Sequence, residues 1–176
     1  MDPKNFTRTF VDSIQPGMQI LDIGAGHGVF SQMFTARGAQ VTAVDPRLPA
    51  LNDPHITGHQ LRIEDFITLP SSGHFHGVFL RNAIQFFDKT WLAQSLVPWI
   101  LLHTAAGAMV AIETFYHDPE PPFERAIPSL YTVEELAALF PQWQPVLATS
   151  YEHDGPDMSG QQRKFFTTDF IVRKIT

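Results

Sequence analysis

The chain has 176 residues, 12 basic and 18 acidic side chains for a formal net charge of -6, 44% hydrophobic residues and no cysteine. That length and apolar share suit one domain with a sizeable core, the acidic balance argues against a nucleic-acid binder, and the missing cysteine excludes disulfides, thiolate metal sites and a catalytic thiol. No stretch approaches the roughly 18 consecutive apolar residues of a membrane span, and the first residues lack the apolar core of a secretory signal, so a cytoplasmic α/β protein acting on a small partner is expected.

In chain order, Phe6, Phe10, Val11 and Ile14 share one face of an N-terminal helix within residues 1–17, a segment from which a lid could form. Met18 to Gly24 predicts a strand, Gly26 to Arg37 a helix stopped by Gly38, and Ala39 to Asp45 a second strand. Ile56 to Ile63 has the broken pattern of an edge strand, and Phe75 to Arg81 reads as a buried one. Asp88 to His103 predicts the longest helix, kinked at Pro98, with the aromatic group Phe86, Phe87, Trp91 and Trp99 assigned to core and helix packing. Ala108 to Thr114 is the next strand. Residues 116–131, with their Pro-rich stretch from His117 to Pro128, read as an irregular substrate-side loop. Thr132 and Glu135 form a capping box ahead of a helix from Val133 to Phe140. Trp143 to His153 and Phe165 to Ile175 then predict two antiparallel strands with no helix between them. The expected fold is a single α/β domain over 1–176: three layers, doubly wound, with a mostly parallel seven-stranded sheet ending in a C-terminal antiparallel hairpin.

The chemistry begins at Asp22-Ile23-Gly24-Ala25-Gly26-His27-Gly28, where a strand runs into glycines at alternate positions before a helix. Glycine permits the tight turn and lets a ligand approach the backbone without meeting a β-carbon. In the dinucleotide fingerprint G-x-G-x-x-G the third glycine would fall at position 29, which is Val29, and Asp22 would repel a pyrophosphate. An NAD(P)-dependent oxidoreductase is therefore the weaker alternative.

The segment ILDIGAGHGVFS resembles the first motif of the class I S-adenosylmethionine-dependent methyltransferases. Loosely, the C-terminal third, from Tyr131-Thr132-Val133-Glu134-Glu135-Leu136 through Trp143 to Lys174, is similar to small-molecule methyltransferases of the tellurite-resistance type. The resemblance implies S-adenosylmethionine as cofactor, held around Asp22, Gly24, Ala25, Gly26 and Gly28. It implies that Asp45, followed by Pro46, takes the ribose hydroxyls, and that Glu64, Asp65 and Phe66 clasp the adenine, Asp65 through its side chain and Phe66 through its backbone N–H. Arg81, at the exit of the Phe75 to Phe87 segment, would flank the methionine portion. A binding module without activity, serving as a partner subunit, is the alternative from another class.

Methyl transfer needs alignment more than acid–base chemistry, so no dyad has to be found. Asn82, Glu113 and His117 are the catalytic candidates, and His27, Gln85, Tyr116, Arg125 and Tyr131 join them on the substrate side. A buried Glu113 needs a partner, for which Arg125 is a candidate. The Asn/Asp-Pro-Pro-aromatic motif of amino-group methyltransferases acting on DNA and protein is absent, because Arg81-Asn82-Ala83-Ile84 stands in its place. His74 and His76 lack further ligands at metal-binding spacing, so no metal is expected. The expected partner is a small-molecule acceptor, with no nucleic acid or membrane, on a monomer or homodimer.

Overall fold

Strands that are apolar on both faces need helices on both sides, and the apolar runs are used in that way. The computed structural model describes residues 4–70, 73–123, 127–157 and 159–175, Lys4 by its backbone alone. Its strands are β1 (Gln19–Ile23), β2 (Gln40–Val44), β3 (Ile56–His59), β4 (Phe75–Arg81), β5 (Thr104–Glu120), β6 (Trp143–Pro156) and β7 (Gln162–Lys174). They form one seven-stranded sheet in the order β3-β2-β1-β4-β5-β7-β6. The first five are parallel, whereas β7 runs antiparallel between β5 and β6. The strand order reverses between β1 and β4, and the loops leaving their carboxyl ends diverge there to open a crevice.

Helices α1 (Lys4–Ser13) and α2 (Val29–Thr35) cover one face. Phe79 on β4 is at the centre of that layer, its ring 5.1–5.6 Å from those of Phe6, Phe10, Phe30 and Phe34. Because Phe6 and Phe10 are buried there, α1 is part of the core wall. The other face carries α3 (Ile63–Phe66), α4 (Lys89–Trp91), α5 (Val97–Leu102) and α6 (Val133–Leu139) over Leu21, Ile23, Val78, Leu80, Val110 and Ile112.

Four boundaries differ from the sequence pattern, each for a physical reason. The helix expected from Gly26 starts at Val29, since Gly26 and Gly28 have left-handed φ of 57° and 78°, outside any right-handed helix. β3 stops at His59, opposite the last residue of β2, and Ile63 opens α3 instead of closing a strand. The expected kink at Pro98 is replaced by a π-helical stretch, Leu92–Leu96, joining α4 to α5. Pro98 has no N–H to give, and widening the turn before it accommodates the loss. The largest difference is β5, which continues through His117 to Glu120, so the irregular segment begins only at Pro121. β7 is long enough to pair with it, and Pro119 is tolerated because the register shifts between His117 and Glu120. Beyond the parallel sheet, β5 and β7 bring Phe115 and Phe165 against Ile127 in a small second cluster. Phe87, Trp91 and Trp99 do pack on the core, but Phe86 is 62% exposed.

Removing the ring at the centre of the α1–α2 layer leaves a cavity that its neighbours cannot close. Phe79→Ala is expected to lower the unfolding free energy by about 3–5 kcal/mol. Phe86→Ala, at an exposed site, should change it by no more than about 0.5 kcal/mol, and urea denaturation of the two variants checks both values.

Candidate active site at the carboxyl edge of the sheet

β1 ends in a turn that L-residues other than glycine do not readily make. Gly24, Gly26 and Gly28 all have positive φ, and the Gly24 and Ala25 N–H groups both donate to the Val44 carbonyl at the end of β2, at 2.8 and 3.2 Å. The glycines differ in what surrounds them. A β-carbon on Gly24 would meet Ala83 Cβ at 2.7 Å, and one on Gly28 would meet Leu51 Cδ1 at 2.7 Å. One on Gly26 would meet nothing within 4 Å. Gly24 is thus required by packing against Ala83, Gly28 by its left-handed backbone more than by the movable Leu51 side chain, and Gly26 faces open space.

Asp45 follows β2 and is tied to that turn. Its Oδ2 accepts from Gly26 N–H at 3.1 Å and its Oδ1 from Arg47 N–H at 2.7 Å, which holds the carboxylate beside the glycine loop, with Pro46 exposed next to it. Asp22 lies deeper, 2% exposed, and accepts from Ser31 Oγ at 2.6 Å. Burial pushes its carboxyl up to about 6, against the Ser31 hydrogen bond and with a further push from Asp45. Ser31, which the sequence pattern did not mark, fastens α2 to β1. On α3, Asp65 is exposed and Glu64 pairs with Arg62 at 3.3 Å. The Phe66 N–H donates to Arg62 O at 3.0 Å and its ring is buried near Trp99, so the expectation that this N–H is free for a ligand is not met.

The substrate side is a row of polar groups in register. Arg81 pairs with Glu113 across β4 and β5, and Glu113 pairs with Asp169 across β5 and β7, so the three side chains share a face of the sheet. Arg81 Nε donates to Glu113 Oε1 at 2.6 Å while its guanidinium lies 4.8 Å from the centre of the Phe30 ring. Asn82, in a left-handed conformation with φ 51°, donates its N–H to Glu113 O at 2.9 Å and turns the chain away from the sheet. A left-handed non-glycine residue here is a local strain of the kind that collects at functional sites. Arg81 is thus a partner of Glu113 among the described residues, and Arg125, the candidate named from the sequence, lies outside them. Asp169 is 3% exposed and its Oδ1 has no hydrogen-bond partner among the described residues. Burial, and then the Glu113 charge beside it, pushes its carboxyl up to about 7. Tyr151 on β6 faces the pair, its hydroxyl raised by burial and by the Asp169 and Glu113 charges.

Other candidates fall elsewhere. Phe166 alternates with Thr167 along β7, so His117, paired with Phe166, faces away from Glu113, with its Nδ1 2.7 Å from Asp118 O. Tyr116 packs edge-on against the same ring. Tyr131 is buried on the opposite layer, its hydroxyl raised to about 12 by burial. Gln85 is buried near Thr114, and His27 is exposed on the glycine turn. His76 Nδ1 accepts from Gln19 N–H at 3.1 Å, and among the described residues no three His, Asp or Glu side chains gather as metal ligands. No helix among them is long and apolar enough to cross a membrane.

A family model described as a methyltransferase domain matches residues 3–153. The chain belongs to that methyltransferase family. No match was found among curated protein sequences. Among solved structures, TehB from Haemophilus influenzae is similar at 16% identity and TM-score 0.75, covering 96% of this chain and 61% of that one. This methyltransferase domain thus spans less than two thirds of the TehB chain. The 1,6-didemethyltoxoflavin-N1-methyltransferase of Burkholderia thailandensis is 18% identical with TM-score 0.68, over 99% and 80% of the two chains. The N-methyltransferase NodS from Bradyrhizobium japonicum WM9 is 12% identical with TM-score 0.64, over the whole of both.

The buried acids of the methyltransferase domain carry a pH signature. Asp22 and Asp169 titrate near 6 and 7 in the folded chain against 3.8 when unperturbed. At low pH both are neutral whether folded or not, and their contribution to stability is intact; it is lost as pH rises through those folded values. Asp169→Asn, which cannot ionise, is expected to gain stability relative to the unsubstituted domain as pH rises from about 4 to about 8. Urea midpoints of both proteins across that range check the direction.

Proposed function

We propose that the domain binds S-adenosylmethionine in the crevice beside β1 and β2 and transfers its methyl group to a small-molecule acceptor held against β4, β5 and β7. The observation that carries this reading is the glycine turn with an open Gly26 fastened to Asp45. That arrangement suits a ligand with vicinal hydroxyls and no phosphate: the Asp45 carboxylate can accept from hydroxyls, and the Gly26 backbone can be approached without obstruction. Asp65, exposed on α3, is the residue we assign to an exocyclic amine, and Arg81, Asn82 and Ala25 are those we assign to the stretch between turn and acceptor. Asp22 supplies negative charge beneath the turn, favouring an ammonium over a pyrophosphate above it. S-adenosylmethionine, when bound, supplies an electrophilic methyl on a cationic sulfur that leaves as a neutral thioether.

For the rest, the residues need only hold the acceptor in line and exclude water. The wall they would use is already built. Arg163, 7% exposed, bonds Asp157 at 2.6 Å and the Pro121 and Pro122 carbonyls, pinning the segment that leaves β5 to the β6–β7 hairpin. Ser129 Oγ donates to Phe87 O at 2.7 Å and closes the other end. A small acceptor agrees with the net charge of -6 and with the Burkholderia methyltransferase, whose structure holds 1,6-didemethyltoxoflavin together with S-adenosylhomocysteine.

Two glycine variants separate the ligand from the fold. Asparagine tolerates a left-handed backbone, and Gly26 has open space beside it, so Gly26→Asn should unfold within about 1 kcal/mol of the unsubstituted chain while binding S-adenosylhomocysteine at least about tenfold more weakly. Gly24→Ala, which drives a β-carbon into Ala83, should lose about 1–3 kcal/mol of stability. Calorimetric titration and urea unfolding read the two effects. If the unsubstituted chain binds neither S-adenosylmethionine nor S-adenosylhomocysteine, the reading is wrong.

A further inference from the structure

Two carboxylates face each other across β5 and β7, and among the described residues Arg81 is the cation that contacts the pair, through Glu113. Glu113 and Asp169 pair across the β5–β7 ladder and are 5% and 3% exposed. Arg81 is engaged by Glu113 at 2.6 Å, and the Asn82 side-chain amide also approaches Glu113, at 3.4 Å. Asp169 is left with an Oδ1 that no described group bonds. The titratable and charged groups that act on it are Glu113, which repels a second negative charge, Tyr151, whose hydroxyl is close enough to hydrogen-bond the carboxyl group without satisfying Oδ1, and Arg81. A buried acceptor without a donor is uncommon in a folded chain, and here it lies on β7 in register with Glu113, beyond the carboxyl end of β4. Phe115 and Tyr151 occupy the next register position on the same face, and Phe30 lies under the Arg81 guanidinium, so aromatic rings flank the acids.

We propose that Asp169, with Glu113 and Tyr151 beside it, is a recognition subsite for a basic nitrogen on the methyl acceptor, an ammonium or N–H group that donates to the unpartnered carboxylate oxygen. This rests on the methyl-transfer reading above and narrows its substrate class. The choice among ligands follows from charge and coordination. An anion meets two acids and one arginine that is already paired. A neutral hydroxyl can donate to Asp169 but leaves the charge of the acid pair uncompensated. A hard divalent cation needs about six oxygen ligands, and among the described residues no third acidic side chain joins these two. A cationic nitrogen supplies both the missing donor and the missing charge, and the surrounding rings favour it further. Because Asp169 titrates close to neutrality in the free protein, its proton is displaced when a cation takes that place.

The test uses the full chain, with and without S-adenosylhomocysteine, titrated calorimetrically with benzylamine, benzyl alcohol and benzoate near pH 7. Benzylamine is expected to bind at least about tenfold more tightly than benzyl alcohol, with proton release seen as a dependence of the heat on buffer ionisation. Asp169→Asn should abolish both the preference and the proton release, and Glu113→Gln should weaken the preference while preserving the fold. Equal binding of amine and alcohol, tighter binding of benzoate, or an amine preference that survives Asp169→Asn overturns the subsite. If S-adenosylhomocysteine binds and the amine is not preferred, only this inference falls. If the amine is preferred and S-adenosylhomocysteine does not bind, the subsite stands and the methyl-transfer reading falls.

Discussion

The hydrogen bond from Gly26 N–H to Asp45 is the contact on which the carboxyl edge depends. It can form only because the backbone leaves β1 through left-handed residues, which places the Gly26 amide beside the end of β2 instead of in the first turn of a helix. That single geometry decides where α2 begins, since Val29 is the first residue after the turn free to be right-handed. It also leaves no room for a β-carbon at Gly24, where Ala83 closes in. Ser31 then locks the result from below by bonding the buried Asp22, so strand, turn and helix are held at both ends by a carboxylate.

Asp22 and Asp45 serve opposite requirements. Asp45 is oriented by two backbone donors, and its remaining lone pairs are left for other donors. Asp22 is buried more completely, with one hydroxyl to stabilise its charge. Moving it outward would relieve the desolvation cost but would also release α2. The pair therefore shows how one turn can be both rigid and lined by carboxylates.

What could be read from the sequence was whatever is encoded by short spacing. The glycine turn, the acid closing the second strand, the Thr132 capping box and the alternation of strand and helix are all local patterns, and the fold follows from them with few additions. The acceptor side is different because its chemistry is assembled by register between distant strands. Glu113 stood out as an acid in an apolar run, but its pairing with Arg81 depends on the register of the neighbouring strand, which no local spacing announces. Asp169 carried no local mark at all: in Thr167-Thr168-Asp169-Phe170 it reads as an ordinary polar residue of a hairpin. Prolines misled in the same direction twice. Pro119 reads as the start of a loop and sits in a strand at a register shift, and Pro98 reads as a kink and follows a π-helical stretch.

The antiparallel strand explains why an acid pair arises at this edge. In a purely parallel sheet, the residues around the carboxyl ends come from strand termini and the loops after them. β7 runs the other way, so the middle of a strand, held by neighbours on both sides, passes beside the carboxyl end of the parallel strands. A side chain placed there is fixed by the ladder and not by a loop, and it can be kept in an unfavourable state that a loop would relax. Asp169 is in such a state, desolvated and opposite another acid. The aromatic layer around Phe79 and the long β5–β7–β6 ladder stabilise the fold enough to tolerate it. The extension of β5 to Glu120 follows from the same design, because a β7 that reaches past the parallel strands needs a partner along its whole length.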